Sequence, residues 1–300
     1  MTRLPPSTRH RPDAPGHALA AWLRAHPRVF VLTGAGCSTA SGIPDYRDRD
    51  GAWKRKPPVT YEAFVRDPAT RARYWARSHA GWPMVSRAVP NAAHRALATL
   101  EADGRVAKLV TQNVDGLHQR AGSRDVLDLH GRIDAVRCLA CEARMPRESV
   151  QAQLVERNPE WAHAIDVAIA PDGDADLDAI DTTTFVAPAC PRCEGLLKPD
   201  VVFFGENVPR QRVFAAQAAL QAADAMLVIG SSLMVYSGYR FAALAREAGL
   251  PLAILTNGAT RADGLATDKW AAECGNTLET AVSLLVGPLG PMTSDLDNMV

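Results

Sequence analysis

Residues 28–47 read RVFVLTGAGCSTASGIPDYR. After Arg28, residues 29–33 are apolar or β-branched without alternation, the pattern of a parallel strand buried on both faces. They run into Gly34-Ala35-Gly36, a turn whose backbone N–H groups can approach a pyrophosphate at a helix start. Working outward, short apolar runs recur at 108–112, 126–129, 201–204, 225–230 and 251–256, several preceded by helical patterns such as 91–102 and 209–223. Strands alternating with helices predict an α/β fold, a doubly wound parallel sheet covered on both faces, with ligands outside the carboxyl ends of its strands. Each of these runs ends in small, polar or titratable residues: Gly34-Ala35-Gly36, Asn113-Val114-Asp115, His130-Gly131, Gly205-Glu206, Gly230-Ser231-Ser232 and Asn257-Gly258.

The chain has 300 residues, 47% hydrophobic and 22% charged, which excludes fibrous and disordered classes. Lys+Arg and Asp+Glu both number 33, so no overall basic field exists to hold nucleic acid or an anionic membrane surface. No apolar run approaches the roughly 20 residues needed to cross a bilayer. Residues 1–20 read as a mobile tail, because Pro5, Pro6 and Pro12 oppose an amphipathic helix, and 288–300 read as a second tail.

Residues 133–197 break the strand–helix rhythm and read as an inserted small domain within a main domain formed by 21–132 and 198–287. The insert carries Cys138-x-x-Cys141 and Cys190-x-x-Cys193, two knuckles that can complete a tetrahedral thiolate shell around one zinc ion. Such a closed shell is structural, and reduced thiols imply the cytoplasm, or the mitochondrial matrix in a eukaryote. The gap between knuckles exceeds the usual ribbon spacing of about 15 to 20 residues. Asp172, Asp174, Asp176 and Asp178 suggest a calcium loop, but Leu177 stands where a glycine turn belongs and Thr183 where a bidentate glutamate belongs, so a solvated acidic loop is expected.

The glycine turn alone is a weak dinucleotide signal, because the third glycine of the usual fingerprint falls at Thr39 and a polar loop with Asp45, Tyr46 and Arg47 comes next. His130, at a strand tip, has a near-neutral pKa suited to general-base work, and Asn113 and Asp115 stand one strand-end away. Cys37 reads as a small residue packed beside the turn.

Together GAGCSTASGIPDYR, TQNVDGLHQRAG, LHG, the paired cysteines, KPDVVFFGE, GSSLMVYSG and ILTNG resemble the sirtuins, NAD-dependent protein-lysine deacylases, over residues 21–286. The forms PDYR, RYWARSHAGWP, APDGD and VYSGYRF are most similar to class II, the branch that includes the mitochondrial sirtuin-four proteins and bacterial relatives. The resemblance implies a Rossmann-like sheet and gives Gly34, Ala35, Gly36, Ser38, Thr39, Pro44, Asp45, Tyr46 and Arg47 to NAD, Tyr46 standing where many members have Phe. It implies that Ile43, Asn113, Val114 and Asp115 surround nicotinamide, Gln112 the ribose, and Gly230, Ser231, Ser232, Thr256, Asn257, Gly258 and Cys274 the adenosine half. His130 matches the family's base, and Val202, Phe203, Phe204, Gly205 and Val235 would flank the substrate peptide.

The implied chemistry uses NAD as co-substrate: the acyl-lysine oxygen captures the anomeric carbon as nicotinamide leaves, and His130 deprotonates the ribose so that the acyl group departs on ADP-ribose. Tyr74 and Arg77 have the Tyr-x-x-Arg spacing of sirtuins that hold an acidic acyl group, which raises a preference for longer, carboxylated acyl chains. The alternatives are mono-ADP-ribosyl transfer onto protein, a non-catalytic zinc-ribbon binding module, and hydride transfer, which would generate NADH. Acylated-lysine proteins are the expected partners.

Overall fold

The computed structural model describes residues 14–161 and 181–287, apart from 47, 49, 51, 53 and 55–57. In chain order the elements are α1 (Ala14–Ala25), β1 (Val29–Thr33), α2 (Tyr61–Arg66), α3 (Pro68–Arg87), α4 (Ala92–Ala102), β2 (Val106–Thr111), α5 (Leu117–Arg120), β3 (Val126–Asp128), β4 (Gly131–Cys138), β5 (Arg144–Pro146), α6 (Arg147–Arg157), β6 (Leu197–Val201), α7 (Arg210–Gln221), β7 (Ala225–Ile229), α8 (Tyr236–Glu247), β8 (Leu252–Leu255), β9 (Asp268–Trp270) and α9 (Cys274–Val286).

Six of these strands form a parallel, Rossmann-like sheet in the order β3-β2-β1-β7-β8-β9. The two-residue pleat sorts its side chains. Val29 and Val31 of β1 enter a core with Leu23 of α1, Leu97 of α4 and Leu278 of α9, whereas Phe30 and Leu32 enter another with Leu220 of α7 and Phe241 of α8. Every residue of β1, β7 and β8 is buried, as a sheet covered on both faces requires. The strand order reverses between β1 and β7, which makes the mouth between them the place for a ligand.

The structure revises several expectations. Helix α1 begins inside the stretch read as a tail: Leu19, Ala20, Trp22 and Leu23 bury against the sheet core, and Pro15 stands in the first turn, where a missing N–H costs nothing. Strand β9, with sequence DKW, carries too little apolar signal to be seen. Residues 201–204 do not join the parallel sheet. Instead β6 pairs antiparallel with β4, in a second sheet of order β5-β4-β6.

The boundaries expected at 133 and 197 therefore cut through β4 and leave most of β6 outside the insert. Helices α2 and α3 also pack there: Phe64, Tyr74 and Trp75 share a core with Val136, Val150, Leu154 and Leu197. The guanidinium of fully buried Arg147 lies 5.5 Å from the Trp75 ring and 4.9 Å from Trp82, and donates to the Ser78 carbonyl at 3.1 Å, tying α6 to α3. Residues 172–178, and with them the acidic run, lie outside the described residues.

Candidate active site

At the mouth between β1 and β7 two glycine turns touch. The Gly36 N–H donates to the Gly230 carbonyl at 2.8 Å. A Cβ at Gly36 would lie 2.9 Å from that oxygen, and one at Gly230, whose φ is +60°, would lie 2.3 Å from the Cys37 nitrogen. Side chains are excluded here because backbone meets backbone. The chain then makes two short 3₁₀ turns, Ala35–Cys37 and Thr39–Ser41, rather than a long helix.

Beneath the turn, fully buried Ser38 donates its hydroxyl to Asp115 Oδ2 at 2.7 Å and accepts from Asn113 Nδ2 at 3.0 Å. Asn113 Nδ2 also donates to the Gly34 carbonyl at 3.0 Å. Burial raises the Asp115 pKa above the usual carboxylate value, against the lowering effect of the Leu117 N–H and Ser38. The ends of β1 and β2 thus hold an amide and a carboxylate in fixed orientation, with Gln112 donating to Ser231 Oγ at 2.7 Å.

His130 stands just after β3. Its Nδ1 lies 2.9 Å from the Gln112 carbonyl oxygen, which can only accept, so Nδ1 carries the proton and Nε2 the lone pair. Ser237 Oγ, 2.8 Å from Nε2, is then its donor. Burial, with a smaller push from Arg212, pulls the imidazole down to about 4, so the ring is neutral at pH 7.

These groups face one cavity of about 640 Å³, within the range of small-molecule sites. Its wall includes Gly34, Ala35, Gly36, Ser38, Thr39, Ile43, Asp45, Tyr46, Gln112, Asn113, Val114 and Asp115 on one side, and Gly230, Ser231, Ser232, Thr256, Asn257, Gly258 and Cys274 on the other. His130, Tyr74, Val202, Phe203, Phe204, Gly205 and Val235 line it too. Pro44 and Arg77 are not on the wall, and Arg47 lies outside the described residues. Tyr74 lines the cavity from among aromatic rings, 5.2 Å from Phe64 and 5.1 Å from Phe203 by centroid, while its expected partner Arg77 is not on the wall. Cys37 is buried and its thiol is pushed well up by burial, in keeping with packing rather than reactivity.

Several residues at or behind the wall lie within the quoted motifs without a role that the sequence assigns them. Ser237 stands in the motif VYSG, but its pairing with His130 is revealed only by the approach of α8 to the end of β3. Lys198 Nζ is buried against the Val201 carbonyl, 3.1 Å from Glu206 Oε2 and 4.6 Å from the Phe203 ring, while Glu206 accepts from the Phe203 N–H at 2.9 Å. This buried pair fixes the turn that carries Phe203 and Phe204. A charge standing beside the apolar run 201–204 is the available signal.

Away from the cavity, the sulfurs of Cys138, Cys141, Cys190 and Cys193 lie within 4.8 Å of one another. The Cys138–Cys193 and Cys141–Cys190 separations are 3.6 and 3.7 Å. A tetrahedron with bonds of about 2.3 Å has edges of about 3.8 Å, so the tetrad fits zinc. None of the four lines the cavity, and all four ligand positions are thiolate, which makes the zinc structural.

A sequence profile of the Sir2 family matches residues 34–237. The NAD-dependent protein deacetylase of Xanthomonas campestris pv. campestris is 60% identical over 263 residues, 88% of this chain and 89% of that protein. The one from Bordetella bronchiseptica is 59% identical over 266 residues, 89% of this chain and 97% of that protein. Among solved structures, a Sir2–p53 peptide–NAD+ complex superposes with a TM-score of 0.68 at 32% identity, covering 87% of this chain and 94% of its own. A Sir2 homologue bound to NAD does so at 0.68 and 29%, covering 89% and 93%. Matched from the first glycine of the turn to the serine beside the imidazole, and at 60% identity to bacterial relatives, the chain belongs to the Sir2 family.

Proposed function

We propose that the chain is an NAD-dependent protein-lysine deacylase, which moves the acyl group from lysine to ADP-ribose and releases nicotinamide. Its bacterial relatives carry the name NAD-dependent protein deacetylase over most of their length. The observation that carries the reading is the fixed tautomer of His130, whose Nε2 lone pair is held toward the cavity by the Gln112 carbonyl.

NAD, as co-substrate, supplies an anomeric carbon that becomes electrophilic when its nicotinamide departs. Asn113 and Asp115, locked by Ser38, orient the carboxamide end. The Gly34–Gly36 backbone faces the pyrophosphate, and Ser231, Ser232, Asn257 and Cys274 face the adenosine end. Val202, Phe203, Phe204, Gly205 and Val235 flank the acyl-lysine, excluding water and holding its oxygen beside the reacting carbon. His130 Nε2 then takes a proton from a ribose hydroxyl that displaces the Ser237 hydroxyl, and the freed oxygen attacks the acyl carbon. The protonated lysine amine leaves, and one water admitted afterwards opens the resulting cyclic intermediate to acyl-ADP-ribose. The lobe bounded by β4 and β6, residues 131–201, serves as an insert whose zinc holds shape rather than substrate.

Among the described residues no helix is long and apolar enough to cross a membrane. Bacterial relatives and a thiolate metal site support the cytoplasm as its compartment. The test is mass spectrometry of acetyl, glutaryl and long-chain acyl peptides with NAD. Expected are free nicotinamide and acyl-ADP-ribose in step with deacylated peptide. Adenylate-labelled NAD leaving covalent label on protein with no deacylated peptide would instead establish ADP-ribosyl transfer. The order of acyl preference should be unchanged in Arg77→Ala, since Arg77 does not line the cavity.

A further inference from the structure

Most charged side chains on the cavity wall have an ion-pair or hydrogen-bond partner. Asp45 pairs with Lys54, and Glu206 with buried Lys198. Glu273 accepts from the Gly275 and Asn276 N–H groups, Asp48 from the Ala52 N–H, and Asp115 from Ser38. Arg240 is the exception. It lines the cavity with no carboxylate in ion-pair range among the described residues, and its Nε is buried without a hydrogen-bond partner there.

Arg240 belongs to a ladder at the cavity mouth. Its guanidinium carbon lies 5.0 Å from the Tyr236 ring, Arg261 lies 6.0 Å from the same ring and 4.1 Å from Tyr239, and the two rings are 6.5 Å apart. Ring stacking preorganises both guanidiniums and leaves their Nη N–H groups, rather than the buried Arg240 Nε, for a ligand. Position is fixed by backbone: the Arg261 N–H donates to the Ser232 carbonyl at 2.9 Å, and Arg240 stands one turn along α8 from Ser237, the partner of His130. The ladder is open to solvent, with Tyr236 60% exposed beside Val235. Neither Arg240 nor Arg261 has an ion-pair partner among the described residues, so two cations stand side by side at the mouth of a cavity in a chain of zero formal net charge.

We propose that Arg240 and Arg261 form an acid-reading subsite for the substrate polypeptide, selecting acylated lysines flanked by Asp or Glu. A planar guanidinium with no internal partner matches a carboxylate by two parallel N–H···O bonds, and a lysine-rich flank meets like charge. This inference rests on the deacylase reading for the placement of the peptide beside Val235.

The test uses fluorescently labelled acetyl-lysine peptides differing only in flanking Glu, Gln or Lys, with binding read by anisotropy and turnover by nicotinamide release. Glu-flanked peptide should bind 5–10-fold tighter than Lys-flanked peptide, and the advantage should shrink at high salt. Arg240→Glu should invert the order, and Arg261→Glu, an exposed change that leaves folding intact, should narrow it about 3-fold. Equal affinity for the three peptides, or an Arg240→Glu variant that weakens NAD binding while keeping the peptide order, overturns the proposal. Acid-preferring binding without nicotinamide release would keep the subsite and sink the deacylase reading, whereas release at equal rates from all peptides would do the reverse.

Discussion

The parallel-sheet lobe and the zinc-bearing lobe bury their cores by different means. In the first, each strand supplies both layers, as Val31 and Leu32 do on opposite faces of β1, and helices from along the chain cover them. In the second, a three-stranded sheet is too small to bury both faces, so its core borrows Phe64, Tyr74 and Trp75 from a segment far upstream. The rings of Trp75 and Trp82 each lie against the guanidinium of fully buried Arg147, and a four-thiolate cluster cross-links the lobe. A lobe short of apolar volume is held by cross-links, while a lobe with a continuous sheet is held by area.

The sharpest break between them is metal removal. Structural zinc contributes on the order of 10 kcal/mol in small modules, so chelation, or Cys190→Ser, should unfold the zinc lobe first and abolish activity. Proteolysis after chelation should cut within 131–201 while the parallel sheet resists, and metal analysis should find one zinc per chain. A single melting transition common to both lobes would remove the distinction.

Chemistry lies at the seam, and His130→Ala tests it. Loss of a positioned base costs about 10²–10⁴-fold in turnover, with NAD affinity kept, because the glycine turns do not depend on the imidazole. The expected comparison is kcat against NAD Kd by calorimetry.

In the large lobe, Leu23→Ala should cost about 2–5 kcal/mol through an unfilled space between α1 and α9, read as a shift in denaturant midpoint. An effect below about 0.5 kcal/mol would return α1 to the status of a loose tail.

Acid should act on the large lobe as well. Burial, aided by Arg95, pulls fully buried His94 down to about 4, and burial lowers His118 further. Unfolded imidazoles titrate near 6.5, so between about pH 6.5 and 4 the unfolded chain holds more protons and stability falls as pH falls. For His94 the loss approaches roughly 3 kcal/mol by pH 4. Denaturant midpoints at pH 7 and 4.5 should therefore diverge in the native chain and converge in part in His94→Gln.

How much of the molecule is legible in its sequence depends on the range of the forces involved. Strands β1, β7 and β8 announce themselves because burial on both faces demands unbroken apolar residues, and α4 is expected one residue from its observed start because Asn91 caps it. Cys138, Cys141, Cys190 and Cys193 are legible because metal geometry constrains residue type directly. Residues 201–204 read wrongly as part of the main sheet because an apolar run does not say which sheet it joins. Ser237 and Arg240 stand in the quoted stretch VYSGYRF, but their roles are invisible until α8 sets them beside His130 and the cavity.

By itself, the sequence determined which segments must be buried, where backbones need glycine, and which side chains can bind metal or move a proton, all properties of a residue and its near neighbours. Tertiary structure alone decided which lobe α2 and α3 complete, which tautomer His130 adopts, and that the arginine on the cavity wall has no counter-charge among the described residues, since these depend on atoms brought together from distant parts of the chain.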